Sequence, residues 1–143
     1  MFQQLVISFL ATTAFAVIFS VPRSLLIASG FVGMLGWGLY TGTTLLQLPS
    51  IPANLIAAFG VSMLSQLLAR RYRAPVTVFA ASGIVPLVPG GQAFDAMRYF
   101  VENNYNLAVQ FAAKAFLLSG AIAMGLILSE VFYQIIRRQR RAF

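Results

Sequence analysis

From Ser24 to Ala69 the chain carries no charged side chain. That stretch is too long for one membrane-crossing helix, which needs about 20 apolar residues. A soluble fold cannot hide it either. Only 9% of the 143 residues are charged and 59% are hydrophobic, whereas an ordinary soluble domain carries about 25% charge. With a mean hydropathy of +0.83, so short a chain cannot bury its apolar surface in a core of its own. The expected class is an all-α integral membrane protein forming a single transmembrane domain over residues 1–143.

The polar inventory excludes several chemistries. There is no Cys, so disulfides and thiolate metal sites are ruled out. There is no His, which removes the usual general base and the commonest metal ligand. The acidic residues are Asp95, Glu102 and Glu130. An enzyme needs more polar equipment than this, and no metal or cofactor is expected. The net charge of +7 invites a nucleic-acid partner, but its placement argues for a lipid bilayer instead. Arg70, Arg71 and Arg73 form one cluster and Arg137, Arg138, Arg140 and Arg141 another, each directly after a hydrophobic run. Cytoplasmic helix ends carry that pattern.

Taken in order, the apolar runs predict about five transmembrane helices, near residues 2–21, 25–46, 52–69, 75–94 and 111–136. Residues 95–110 read as an interfacial segment. A cleavable signal peptide would want a basic start, which Met1-Phe2-Gln3-Gln4 lacks, so the first run is expected to be a retained helix. Pro49 and Pro52 punctuate the long uncharged stretch. The second helix contains Gly38-x-x-x-Gly42 and Ser29-x-x-x-Gly33, and the fifth contains Ala121, Gly125 and Ser129 at spacing four. Such stripes let helices approach closely in lipid. Asn54 and Ser65 share a face of the third helix.

The stretch Val78 to Arg98, which holds most of the fourth run, is apolar but interrupted by Ser82, Gly83, Pro86, Pro89, Gly90 and Gly91. Pro86 cannot donate to a helical ladder, and Gly90 and Gly91 admit left-handed backbone. Broken backbone at membrane depth survives only in protein or beside a watery cavity, and broken helices mark transporter binding sites. The substrate-path candidates are therefore Ser82, Gly83, Pro86, Pro89, Gly90, Gly91 and Gln92, with Asn54 from the third helix. Freed N–H groups would suit a carboxylate and freed carbonyls an ammonium; a proline kink that merely shapes a helix end is the alternative. Asp95 and Arg98, three residues apart, are the candidates for proton coupling or an ion pair.

Charge also bears on the number of crossings. If all five runs cross, Arg23 and both Arg clusters share one side, which then holds eight of the ten basic residues. A re-entrant fourth run would put the two clusters on opposite sides, against the positive-inside bias. Five crossings are expected, with the amino end outside and the carboxyl end inside.

The segment R-R-Y-R-A-P-V-T-V-F-A-A-S-G-I-V-P-L-V-P-G-G-Q-A-F-D-A-M, with F-S-V-P-R-S-L-L from Phe19, resembles the small membrane subunit of the threonine/serine exporter family. The matching positions are Pro86, Pro89 and Gly90, flanked by Ser82, Gly83 and Ala93. The resemblance implies a multi-pass protein of the bacterial inner membrane. It implies a proton-driven secondary transporter exporting small amino acids with a larger partner subunit. A related two-component system implies a C4-dicarboxylate such as succinate as the alternative substrate. A non-transporting scaffold subunit is the rival reading. No predicted crossing carries a titratable residue at its middle, although proton-coupled carriers usually place one there; the coupling carboxylate is then Asp95 or belongs to the partner.

Overall fold

The computed structural model of the protein describes residues 2–142, and its elements are helical. They are α1 (Phe2–Ile18), a 3-10 turn (Arg23–Leu25), α2 (Leu26–Leu45), α3 (Ser50–Tyr72), α4 (Val76–Gly83), a second 3-10 turn (Val85–Leu87), α5 (Gly90–Val101) and α6 (Tyr105–Ala142). Three helical stretches, Arg23–Leu45, Ser50–Tyr72 and Tyr105–Ala142, are long and apolar enough to cross a membrane. Val76–Leu87 with Gly90–Val101 makes a fourth such unit, bent by 51°. Phe2–Ile18 is a shorter apolar helix.

One local device ends four of the helices. Ser20, Gln47, Arg73 and Asn103 have positive φ, at 59°, 64°, 53° and 62°. The following amide in each case reaches back five residues: Val21 to Ala16, Leu48 to Thr43, Ala74 to Ala69 and Asn104 to Tyr99. This is the left-handed stop that satisfies the last carbonyls of a helix. After the first three stops comes one spacer residue and then a proline, Pro22, Pro49 or Pro75, which caps the next helical element. Proline presets φ and holds the preceding residue extended. The turns thus need no glycine, and no described glycine has positive φ.

The glycines serve close approach instead. Gly30 and Gly33 of α2 receive Phe9, Thr13 and Thr12 of α1, and Ser8 Oγ donates to the Gly33 carbonyl at 3.1 Å. Gly36 faces Val61 of α3, Gly83 of α4 faces Val32 and Val61, and Gly125 of α6 lies on the α3 backbone. The core between them is Val32, Ala57, Ala58, Val61, Phe79, Leu87 and Ile122, with Leu25 and Ala69 at one end. The expected Gly38–Gly42 face is not where the tight contact falls: a methyl on Gly42 would meet nothing within 4 Å. The Ser29–Gly33 and Ala121–Gly125–Ser129 stripes are buried as small-residue packing requires.

Contacts at successive levels give the helix directions. Trp37 touches Gln4 and Gly30 touches Phe9, so α1 and α2 run antiparallel. Asn54 reaches Leu118, Ala58 meets Gly125 and Arg70 meets Tyr133, so α3 and α6 run parallel. Residues 95–110 divide differently from the expected interfacial segment. α5 begins at Gly90 and takes in Asp95, while α6 begins at Tyr105 and runs on to Ala142. The polar residues Glu102, Asn103 and Asn104 form only the turn between them. Asn tolerates left-handed backbone, so a tight helical hairpin forms there.

Candidate functional site

The break in the fourth run is built by its prolines. Pro86 sits in the 3-10 turn, and Pro89 precedes α5 at φ −78° and ψ 56°. Gly90 and Gly91, expected to take left-handed or irregular backbone, are instead the first two residues of α5, without positive φ. Both are exposed, and a methyl on either would meet nothing within 4 Å. Glycine freedom is unnecessary there because Pro89 already redirects the chain.

Four of the eight substrate-path candidates converge. Asn54, Pro86, Pro89 and Gln92 line a cavity of about 180 Å³ together with Trp37, Tyr40, Leu87, Val88 and Leu118. Drug-sized sites run to roughly 300–1,000 Å³, so this one suits a small solute. Trp37 and Tyr40 lie one turn apart on α2 with ring centroids 5.3 Å apart. The Trp37 indole N–H donates to Gln4 Oε1 at 3.4 Å. No charged side chain lines the cavity.

Asn54 holds the arrangement together. It is 2% exposed, and its amide donates to the Leu87 carbonyl at 3.4 Å and the Leu118 carbonyl at 3.5 Å. These bonds are long, so they steer more than they clamp. Leu87 ends the 3-10 turn, so one backbone carbonyl released by the break is met by a side chain of α3. The sequence pointed to Asn54 as polar and to the break as open. It did not reveal that the two face each other, nor that Trp37 and Tyr40 complete the wall.

The remaining candidates lie elsewhere. Ser82 is fully buried, and its hydroxyl donates to the Val78 carbonyl at 3.0 Å within its own helix. Gly83 is the contact point for Val32 and Val61. Asp95 and Arg98 approach at 3.9 Å on the surface of α5, and Arg98 also nears Glu102 at 3.9 Å and the Tyr99 ring at 4.8 Å. Exposed pairs of this kind contribute little, and neither residue lines the cavity.

Comparison with known proteins places this geometry in context. The family model described as "Threonine/Serine exporter, ThrE" matches residues 4–132. A threonine/serine exporter of Corynebacterium glutamicum is 27% identical over 140 residues, covering 98% of this chain and 28% of that protein. An uncharacterized protein of Haemophilus influenzae is 27% identical over 128 residues, covering 83% of this chain and 43% of that one. The chain therefore spans less than half the length of these curated relatives. No solved structure matches it significantly. With the family model covering nearly all of the helical bundle, including the bent segment and its cavity, the chain belongs to the threonine/serine exporter family, a family of membrane transporters.

Proposed function

We propose that the chain is the small subunit of a secondary transporter that exports small amino acids of the threonine/serine type across the bacterial inner membrane, working with a larger partner subunit. The observation that carries this reading is the cavity at the bent segment, where Asn54, Pro86, Pro89 and Gln92 meet inside a chain of this family. A small, walled, partly polar space beside interrupted backbone is what a substrate path through lipid requires. The relatives' greater length supports a larger partner.

Five crossings fit the packing. Asn54 lies one turn into α3, yet it meets Leu87 at the end of the segment that starts from the basic end of α3. Leu87 thus lies near the amino-terminal level of α3, which supports reading the fourth run as a crossing. α1 pairs along α2 from Gln4 to Thr13. With the Arg clusters on the cytoplasmic side, the amino end lies outside, the carboxyl end inside, and α5 with the start of α6 toward the outer face. Proton coupling falls to Asp95 or to the partner's carboxylates.

Efflux of preloaded radiolabelled threonine, serine and succinate, from cells lacking this chain and from cells with it restored, tests the reading. Restored threonine or serine efflux is expected. Restored succinate efflux alone would support the dicarboxylate alternative, and no restored efflux would leave a scaffold. In the same assay Pro86→Ala is expected to lower efflux severalfold, because an N–H at that position lets the 3-10 turn relax toward continuous helix. Gly90→Ala is expected to change nothing, because its surroundings are open. Equal loss from both would show that the break works through Gly90 after all.

A further inference from the structure

A cavity of about 310 Å³ lies in the seam between α3 and α6, near the carboxyl ends of both helices. Four arginines line it, Arg70 from α3 and Arg137, Arg140 and Arg141 from α6. Tyr133, Arg137, Arg140 and Arg141 recur at three- and four-residue spacing, so they share one face of α6. Arg70 lies over the Tyr133 ring, 5.5 Å from its centroid, which brings the α3 guanidinium to that face. No carboxylate lines the cavity, and the ion pairs among the described residues are those of Arg98. Glu130 lines a neighbouring cavity of about 400 Å³, which shares Tyr133 and Arg137 with this one and also takes in Gln66. Four like charges around one space repel one another, and an anion seated among them offsets that cost.

The rest of the lining is apolar: Met63, Leu67 and Ile136. Leu67 is 57% exposed, and on a helix apolar enough to cross a membrane an exposed leucine faces lipid. Met63 lies two turns before Arg70, so the wall passes from apolar to basic over about 10 Å. A phospholipid makes the same passage, from acyl chain through glycerol to phosphate. We propose that this cavity seats the headgroup of an anionic phospholipid. The guanidiniums hold its phosphate oxygens, which they match two at a time, and its acyl chains run out along Leu67 into the bilayer. Basic pockets between membrane helices take headgroups of this kind. Four cations without a carboxylate favour a lipid with two phosphates over one with a single phosphate. They disfavour a headgroup whose ammonium would meet the guanidiniums. A free phosphate shares the chemistry but leaves the apolar wall without a partner. The site is distinct from the cavity at the bent segment, because Arg70 lies sixteen residues beyond Asn54 on α3, about 24 Å along the helix. It bridges α3 and α6, so the bound lipid fastens their ends together.

The test is native mass spectrometry of the full chain released from detergent, titrated with cardiolipin, phosphatidylglycerol and phosphatidylethanolamine, with thermal unfolding alongside. The first cardiolipin is expected to bind about tenfold tighter than phosphatidylethanolamine and to raise the unfolding midpoint, as a ligand of the folded state does. Phosphatidylglycerol should fall between. Arg140→Gln, at an exposed position, should weaken that first cardiolipin about fivefold, the share of one arginine at a membrane surface. Arg138→Gln is the control. It removes the same charge from the same cluster but outside the cavity, and should leave the first cardiolipin in place. Inorganic phosphate and glycerophosphoglycerol, a headgroup without acyl chains, should not displace it. Four results would each overturn the assignment. Equal weakening by both variants would reduce the binding to diffuse surface attraction. Phosphatidylethanolamine binding as well as cardiolipin would remove the charge argument. Displacement by inorganic phosphate would make this a free-anion site. No retained lipid would leave the arginines to an acidic segment of a partner. None of these outcomes depends on transport.

Discussion

Gly125→Ala is expected to be among the most damaging single methyl additions to this chain. An added Cβ would lie 2.6 Å from the Leu55 carbonyl oxygen, 2.9 Å from the Ala58 Cβ and 3.0 Å from the Phe59 nitrogen. Two of these neighbours are backbone in the middle of α3, which cannot turn aside as a side chain can. The helices must separate, and with them go the contacts of Ile122 and Leu126 with the core. Overpacking of this kind costs about 1–3 kcal/mol. In lipid the loss is not offset by any apolar driving force between helices, because close packing is what holds them. Thermal unfolding of the detergent-solubilised protein, followed by loss of the monodisperse peak on size exclusion, is the measurement. Gly42→Ala is the control. It adds the same methyl to open space and removes a helix-weakening glycine, so its midpoint should stay level or rise. Similar losses from both would mean that the α3–α6 seam is not as close as the structure has it.

Asn54→Leu should leave the protein in the membrane yet reduce efflux about tenfold. The substitution keeps volume but removes the amide that meets the Leu87 and Leu118 carbonyls. The stability cost of one such interhelical bond in lipid is modest, about 0.6 kcal/mol on average, so insertion survives. The functional cost is larger for two reasons. The Leu87 carbonyl loses its tether at the end of the 3-10 turn, and a methyl-rich side chain replaces the principal polar group on the α3 wall of the cavity. Asn54→Asp, which keeps the shape but cannot donate, should fail as well, and Asn54→Gln should recover part of the activity. Wild-type efflux from the leucine variant, at equal protein level, would remove the bent-segment cavity from the transport path.

How much of this could be read from the residues follows from the range over which each signal acts. The apolar runs, the arginine ends and the interruption at Pro86 and Pro89 are local, and the described residues fold as helices with three, or up to four, stretches apolar enough to cross a membrane. The reading of Gly90 and Gly91 as the irregular elements went astray because permissive residues do not compel a conformation. Proline does compel one, and Pro89 leaves both glycines free to start a helix. The Gly38–Gly42 motif misled for a related reason. Spacing says which residues share a face but not which face meets a neighbour, and α1 and α3 meet α2 at Gly30, Gly33 and Gly36 instead. Gln66, in the same helix as Asn54 and Ser65, carries no sequence signal that sets it apart. Its burial, and the company of Glu130 and Arg137 around one cavity, depend on which faces of α3 and α6 meet, which no local pattern encodes.

By itself, the sequence determined a helical membrane protein, because so many apolar residues with so few charges admit no aqueous core. Its arginines marked the ends of apolar helices, because charge is held out of hydrocarbon, and its prolines located the bend. Only the tertiary structure decided that Asn54 faces the break and that Ser82 and Gly83 serve packing. It also decided that Asp95 and Arg98 pair on the surface, and that a second polar cavity opens at the opposite end of α3. Those outcomes turn on which helix faces come together, and in lipid that choice is made by the close fit of small residues across distant parts of the chain.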